Sequence, residues 1–211
     1  GPNGAGKSTM LKAVTGQITV REGRVTVAGR DLRGLRPRDV VASGVAYVPQ
    51  ESWVFNATLR ENILFGKPYK KALYDKAIRV AQMASDMEQL ADGDNTEIGE
   101  KGVNLSGGQR QRLAIARAVY SDADVYLFDD PLSALDAKVA RKVFDECIRG
   151  HLGSKTVILV TNRVEFVSGD SDQVVLMSDG KIGAKGTFDW MRANSDEFAT
   201  MMEGIGSTEE Q

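Results

Sequence analysis

The chain has 211 residues, 42% of them hydrophobic and 27% charged, enough apolar material for one large α/β domain with an insertion. Its 27 Lys and Arg against 29 Asp and Glu give a net charge of −2, which excludes nucleic-acid binding through bulk positive charge. A single cysteine, Cys147, excludes an internal disulfide framework, and the longest apolar runs ("TVILV", "QVVLM") fall far short of a membrane span.

The first element carries chemistry. "GPNGAGKST" fits G-x-x-x-x-G-K-[ST], with Gly1, Gly6, Lys7 and Ser8 at the fixed positions. Gly1, Pro2, Asn3, Gly4, Ala5 and Gly6 would wrap the phosphates, their backbone N–H groups, which Pro2 alone lacks, turned inward around the oxygens. A helix over Lys7 to Gly16 aims its positive dipole end at the same anion. Lys7 would reach the terminal phosphates, and Ser8, beside Thr9, would ligand Mg²⁺. Alone, the motif also fits a glycine turn before an unrelated helix. The chain opens without Met and already inside this motif, so it reads as a fragment of a longer protein.

"GRVTVAGRDL" alternates like a strand and turns at Gly29; "GVAYVPQ" is a second strand ending at Pro49-Gln50. From about Ser52 to Ala91 the pattern becomes helical, with Leu73, Ala77, Val80, Ala84 and Met87 at helical spacing. After the loop "ADGDNTEIGEKGVN", Ser106 and Gln109 have capping-box spacing ahead of a helix with Leu113, Ala116 and Val119 on one face. Capping does not call for Gly107 and Gly108, which cost helix stability, so this N-terminus reads as a second anion site. "VYLFD" is a strand running into Asp129 and Asp130. The helix "AKVARKVFDECI" sets Cys147 at the spacing of Val139 and Val143, a core-facing thiol. "TVILVTN" and "QVVLMSDGKIGAKGT" continue the alternation, His151 reads as a surface residue, and the tail "STEEQ" as frayed. Strands alternating with helices imply a mostly parallel sheet with helical crossovers, the middle segment being a helical insertion.

These motifs, in this order, resemble the nucleotide-binding domain of ATP-binding-cassette (ABC) proteins over essentially the whole chain: "GPNGAGKST", Gln50 in "YVPQ", "LSGGQ", "VYLFD" and "SALD". The resemblance implies an α/β P-loop NTPase (RecA-like) fold, with a helical subdomain insertion and a small antiparallel β part. Residues 1–51 and 121–187 would form the ATP-binding core, 52–120 the helical and signature subdomain, and 188–211 a C-terminal helix and tail. It implies ATP and Mg²⁺ as ligands, with Ser8, Gln50 and Asp129 on the metal. It also implies head-to-tail pairing with a second such domain. Leu105, Ser106, Gly107, Gly108, Gln109 and Asp136 would then serve the partner's ATP. "TEIGEKG" is similar to the loop by which ABC exporters contact their membrane domains, placing this domain on the cytosolic face of a membrane protein. "SWVFNATLRENILFG" with "EIGEKGVNLSGGQ" is most similar to the first nucleotide-binding domain of the multidrug-resistance-associated, organic-anion-conjugate exporters. Trp53 and Phe55 fit either the core or that transmission surface.

Two positions depart from hydrolytic members of the family. Asp130 stands where they carry the catalytic glutamate, one methylene short, a deficit of roughly 1.5 Å. Asn162 stands where they carry the switch histidine, and an amide brings neither positive charge nor a proton shuttle. The expectation is a site that binds ATP–Mg²⁺ and hydrolyses it slowly. A nucleotide-gated channel or regulator is the alternative, and a soluble ABC ATPase a weaker one.

Overall fold

The computed structural model describes residues 4–167 and 171–206; Gly1, Pro2, Asn3 and the "STEEQ" tail lie outside them. Three parallel strands, β3 (Val45–Val48), β6 (Val125–Asp129) and β7 (Thr156–Val160), form the central sheet in the order β3-β6-β7. Val45 pairs with Val125 and Val48 with Phe128, while Asp129 pairs with Val160. Two-residue alternation then sorts the side chains onto two covered faces. Val45 and Leu127 join a layer with Leu11 of α1 (Lys7–Val14), Leu32, and Val40 of α2 (Pro37–Ala42). Ala46, Val48, Tyr126 and Phe128 belong to the larger layer on the other face.

That larger layer is supplied by the segment between β3 and β6. β4 (Ala57–Thr58) pairs antiparallel with β5 (Glu97–Ile98), and between them lie α3 (Leu59–Leu64), α4 (Lys71–Val80) and α5 (Ala84–Glu88). α6 (Gly107–Tyr120) follows, with Leu113, Ile115, Ala116 and Val119 fully buried. α7 (Ala137–Lys142) continues without a break into π-wound turns over Val143–His151, and its Cys147 is fully buried in the same layer, as its spacing predicted. Burial pushes that thiol up to about 12, which leaves it an inert apolar filler.

Smaller parts flank the sheet. β1 (Thr26–Val27) and β2 (Arg30–Asp31) form a hairpin whose turn residues Ala28 and Gly29 have φ of 48° and 78°, a left-handed pair that suits the strand twist. β8 (Val174–Ser178) and β9 (Lys181–Gly186) are antiparallel, and α8 (Phe188–Asn194) and α9 (Asp196–Gly206) pack on them through Leu176, Met191 and Phe198.

The structure corrects several expected details. α1 stops at Val14, and Gly16 comes so close to Leu35 that a Cβ there would overlap its carbonyl oxygen at 2.4 Å. The expected single helix after Lys70 is broken at Gln82 (φ 58°), where the chain enters the left-handed region before α5. His151, read as a surface residue, is half-buried on an open groove with Lys76 and Arg79. Among the described residues no helix is long and apolar enough to cross a membrane.

Candidate nucleotide site

β6 ends where α1 begins. Asp129 is the last residue of β6 on the face toward α1, and Ser8 stands in the first turn of α1, whose N-cap Gly6 has a φ of 91°. The Ser8 hydroxyl donates to Asp129 Oδ1 at 2.8 Å, joining residues 121 apart in sequence. Asp129 is only 3% exposed. Lys7 lies in the field of both Asp129 and Asp130; burial pulls its ammonium below the ordinary value, and the two carboxylates oppose that pull. The Tyr47 phenol, from β3, donates to Asp129 Oδ2 at 3.3 Å, and burial and the Asp129 charge together push it upward.

Two hard oxygen ligands suit Mg²⁺, which takes few protein ligands and fills the rest of its shell with phosphate and water. The 2.8 Å separation of Ser8 Oγ and Asp129 Oδ1 is close to the edge of an octahedron with 2.0–2.1 Å bonds, about 2.9 Å. Among the described residues no cluster of three His, Cys, Asp or Glu offers an all-protein cage. The donor set therefore fits a cation brought in with a phosphate ligand.

Asp130 sits differently. Its φ is 51°, in the left-handed region where Asp and Asn are enriched, and its backbone N–H donates to Val160 O at 2.8 Å. Its carboxylate accepts the Asn162 backbone N–H, while Oδ1 is buried without a hydrogen-bond partner among the described residues. Burial pushes this carboxyl up and Asp129 adds to the push, against the Asn162 bond and the charges of Lys7 and Arg163. Asn162 and Gln50 are exposed at the ends of their strands.

The second anion site has the expected cap. Ser106 Oγ accepts the Gln109 N–H at 3.2 Å, and Gln109 Oε1 accepts the Ser106 N–H at 2.9 Å. A Cβ on Gly108 would meet Ala134 O at 3.1 Å, so this glycine has a packing reason; a Cβ on Gly107 would meet nothing within 4 Å. Leu105 is buried in the main layer, with its carbonyl accepting Arg110 Nη1 at 2.6 Å. Asp136 caps α7, accepting the Val139 N–H at 3.0 Å. In α6, fully buried Gln111 accepts the Ser52 hydroxyl at 2.6 Å, linking the signature helix to the segment just after Gln50.

Trp53, Phe55 and Phe65 surround the guanidinium of Arg117 at 4.8, 5.8 and 5.1 Å, and burial pulls Arg117 down to about 10. Arg117 Nε donates to Asn62 O at 2.8 Å. Trp53 and Phe65 nevertheless remain 52% exposed each. Phe65, with a φ of 47° just before Gly66, is a surface residue that the sequence reading passes over. A groove of ≈ 580 Å³ between α4 and the helix after Asp136, lined by Arg79, Gln82, Lys142 and Glu146, shares no residue with the phosphate loop.

Residues 1–133 match the family described as "ABC transporter". The chain belongs to that family. Among curated ABC relatives, "ABC transporter C family member 12" of Dictyostelium discoideum is 43% identical over 209 residues, covering 99% of this chain and 15% of the relative. "ATP-binding cassette sub-family C member 4" of Homo sapiens is 44% identical over 211 residues, covering 100% and 15% respectively. The chain thus spans about one seventh of such relatives' length. In structure it is similar to a bacterial Atm1-family ABC exporter with ATP bound, with a TM-score of 0.87, 30% identity, and coverage of 97% of this chain and 36% of that one. The α/β P-loop NTPase fold and the C-subfamily resemblance of an ABC nucleotide-binding domain therefore stand.

Proposed function

We propose that this domain binds ATP–Mg²⁺ on the cytosolic face of an ABC exporter and couples it to transmembrane transport, its own site hydrolysing slowly while its signature completes the site of a second nucleotide-binding domain. The observation that carries the reading is the Ser8–Asp129 contact at the N-terminus of α1, beside Lys7. Gly4, Ala5, Gly6, Lys7, Ser8 and Thr9 would hold the phosphates, with Ser8, Gln50 and Asp129 at the cation, which when bound neutralises charge on the phosphoryl oxygens.

Hydrolysis breaks the bond between the γ-phosphorus and the bridging oxygen as water attacks, and the proton of that water must be taken up. Asp130 is short for this task and already accepts the Asn162 N–H, and misplacement of a catalytic group by about 1 Å costs on the order of 100-fold in rate. Asn162 supplies no charge in place of the histidine. Pairing is supported by Gly107, where a side chain would meet nothing within 4 Å among the described residues, and Leu105, Ser106, Gly108, Gln109 and Asp136 would frame the partner's ATP around it. Exposed Trp53 and Phe65, braced by Arg117, and the exposed Glu100-Lys101 tip of "TEIGEKG" would face the membrane domains.

The test uses the full-length protein. Lys7→Ala should weaken nucleotide trapping at this site more than it lowers overall turnover, whereas Ser106→Arg should sharply lower turnover. Loss of turnover in Lys7→Ala as complete as that from the matching lysine of the partner domain, or normal turnover in Ser106→Arg, would refute the assignment.

A further inference from the structure

Tyr47 opens the "YVPQ" stretch, of which only Gln50 has a role so far, yet its hydroxyl ends in the nucleotide site. The parallel register sets Tyr47 opposite Leu127, so two-residue alternation brings Tyr47, Leu127 and Asp129 to the one face that looks at α1. The ring packs with the apolar layer under α1 beside Val45 and Leu11, which fixes where the hydroxyl can reach. That hydroxyl donates to Asp129 Oδ2 at 3.3 Å, and Ser8 donates to Oδ1 at 2.8 Å. Both oxygens of a carboxylate that is almost wholly buried are thus engaged, one from each side.

Carboxylate torsions are broad and roughly two-fold, so a single bond from Ser8 would not set the plane of the group. Without the phenol, Oδ2 would lose its donor and the carboxylate would be free to swing away from Ser8. Partners of this kind, which orient a metal-binding group without touching the metal, change metal affinity by about 10–100-fold when removed. Resting on the reading that ATP–Mg²⁺ binds at Ser8 and Asp129, we infer that Tyr47 is a positioning residue that holds the Asp129 carboxylate in the plane in which Oδ1 meets the cation. The 3.3 Å bond is long for O–H···O, which places the expected effect near 10-fold.

Tyr47→Phe keeps the ring and its packing and deletes only the hydroxyl. In the full-length protein, binding of a fluorescent ATP analogue is followed as Mg²⁺ is titrated, with a parallel series in EDTA. The half-saturating Mg²⁺ concentration should rise about 10-fold, and affinity in EDTA should match that of the wild type. An unchanged Mg²⁺ requirement overturns the inference. So does an equal loss of affinity with and without Mg²⁺, because Tyr47 would then support the loop by packing alone. If the wild type itself binds the analogue no better with Mg²⁺ than in EDTA, the ATP–Mg²⁺ reading fails first and takes this inference with it.

Discussion

Replacing Arg112 by Met keeps an apolar stem in α6 and deletes a guanidinium that is one half of a buried pair. Arg112 Nε and Nη2 donate to the two oxygens of Asp86 in α5 at 2.7 and 2.6 Å. The side chains are only 13% and 6% exposed, so water cannot take over when the donors go. A carboxylate left buried in this way destabilises by about 3–5 kcal/mol. In a domain of this size each kcal/mol lowers the melting temperature by roughly 2–4 °C, which puts the expected fall at about 6–20 °C. Removing the stranded charge as well, in Arg112→Met with Asp86→Leu, should recover most of that loss, because an apolar pair of similar volume usually replaces a buried ion pair without penalty. Chemical unfolding followed by the fluorescence of Trp53 and Trp190 gives all four corners of the cycle. The reasoning is refuted if the double variant is as unstable as Arg112→Met. It is equally refuted if the single variant loses under about 1 kcal/mol, the range of an exposed pair.

The two signature glycines should separate under the same substitution. Gly107→Ala, whose Cβ meets nothing, should leave thermal stability unchanged or raise it by up to about 1 kcal/mol, whereas Gly108→Ala should lower it by pressing on Ala134 O; thermal melts in the opposite order would contradict this packing. His151 gives the pH dependence. Burial first, then Lys76, holds its imidazole below the ordinary 6.5, with Lys155 and Arg79 adding to the effect and Asp122 opposing it. The folded state therefore prefers the neutral ring, and stability is lost as the pH falls below 6.5, where the unfolded chain takes up its proton first. His151→Gln should show a smaller drop in urea midpoint between about pH 7 and about pH 5 than the wild type, and equal drops would exclude this role.

The α/β P-loop class was legible from the order of the motifs, and the residues of the candidate site from local patterns. Lys7 and Ser8 stand at fixed positions of the phosphate-loop pattern, Asp129 ends a strand that runs into acid, and the sheet brings Ser8 and Asp129 together across 121 residues. Tyr47 escaped because an aromatic in an alternating strand looks like core, which its ring is; only the register reveals where the hydroxyl goes. Some of what was missed had a local signal. Thr58 and Glu61 form a full capping box at the start of α3, a pattern visible in "TLRE". Other features had none: no turn residue marks the left-handed break at Gln82, and no change of period marks the π winding after Lys142. Phe65 was hidden for the opposite reason, since nothing in a run of apolar residues marks the one that faces outward.

α6 has one end in solvent and the other in the main apolar layer: Ser106 is exposed, whereas Leu113, Ile115, Ala116, Val119 and Tyr120 share that layer with Tyr126 and Phe128 of the sheet. Its 14 residues make a rod of about 21 Å. A tilt of about 5° at the buried end would swing the Ser106 end by about 2 Å, more than the tolerance of a hydrogen bond. The same rod carries Gln111, bonded to Ser52 just after Gln50, on the Ser106 half of the helix. A shift of the segment after Gln50 would therefore pull on the helix near its signature end, while the apolar layer that gives the domain its stability would hold the other end as a bearing.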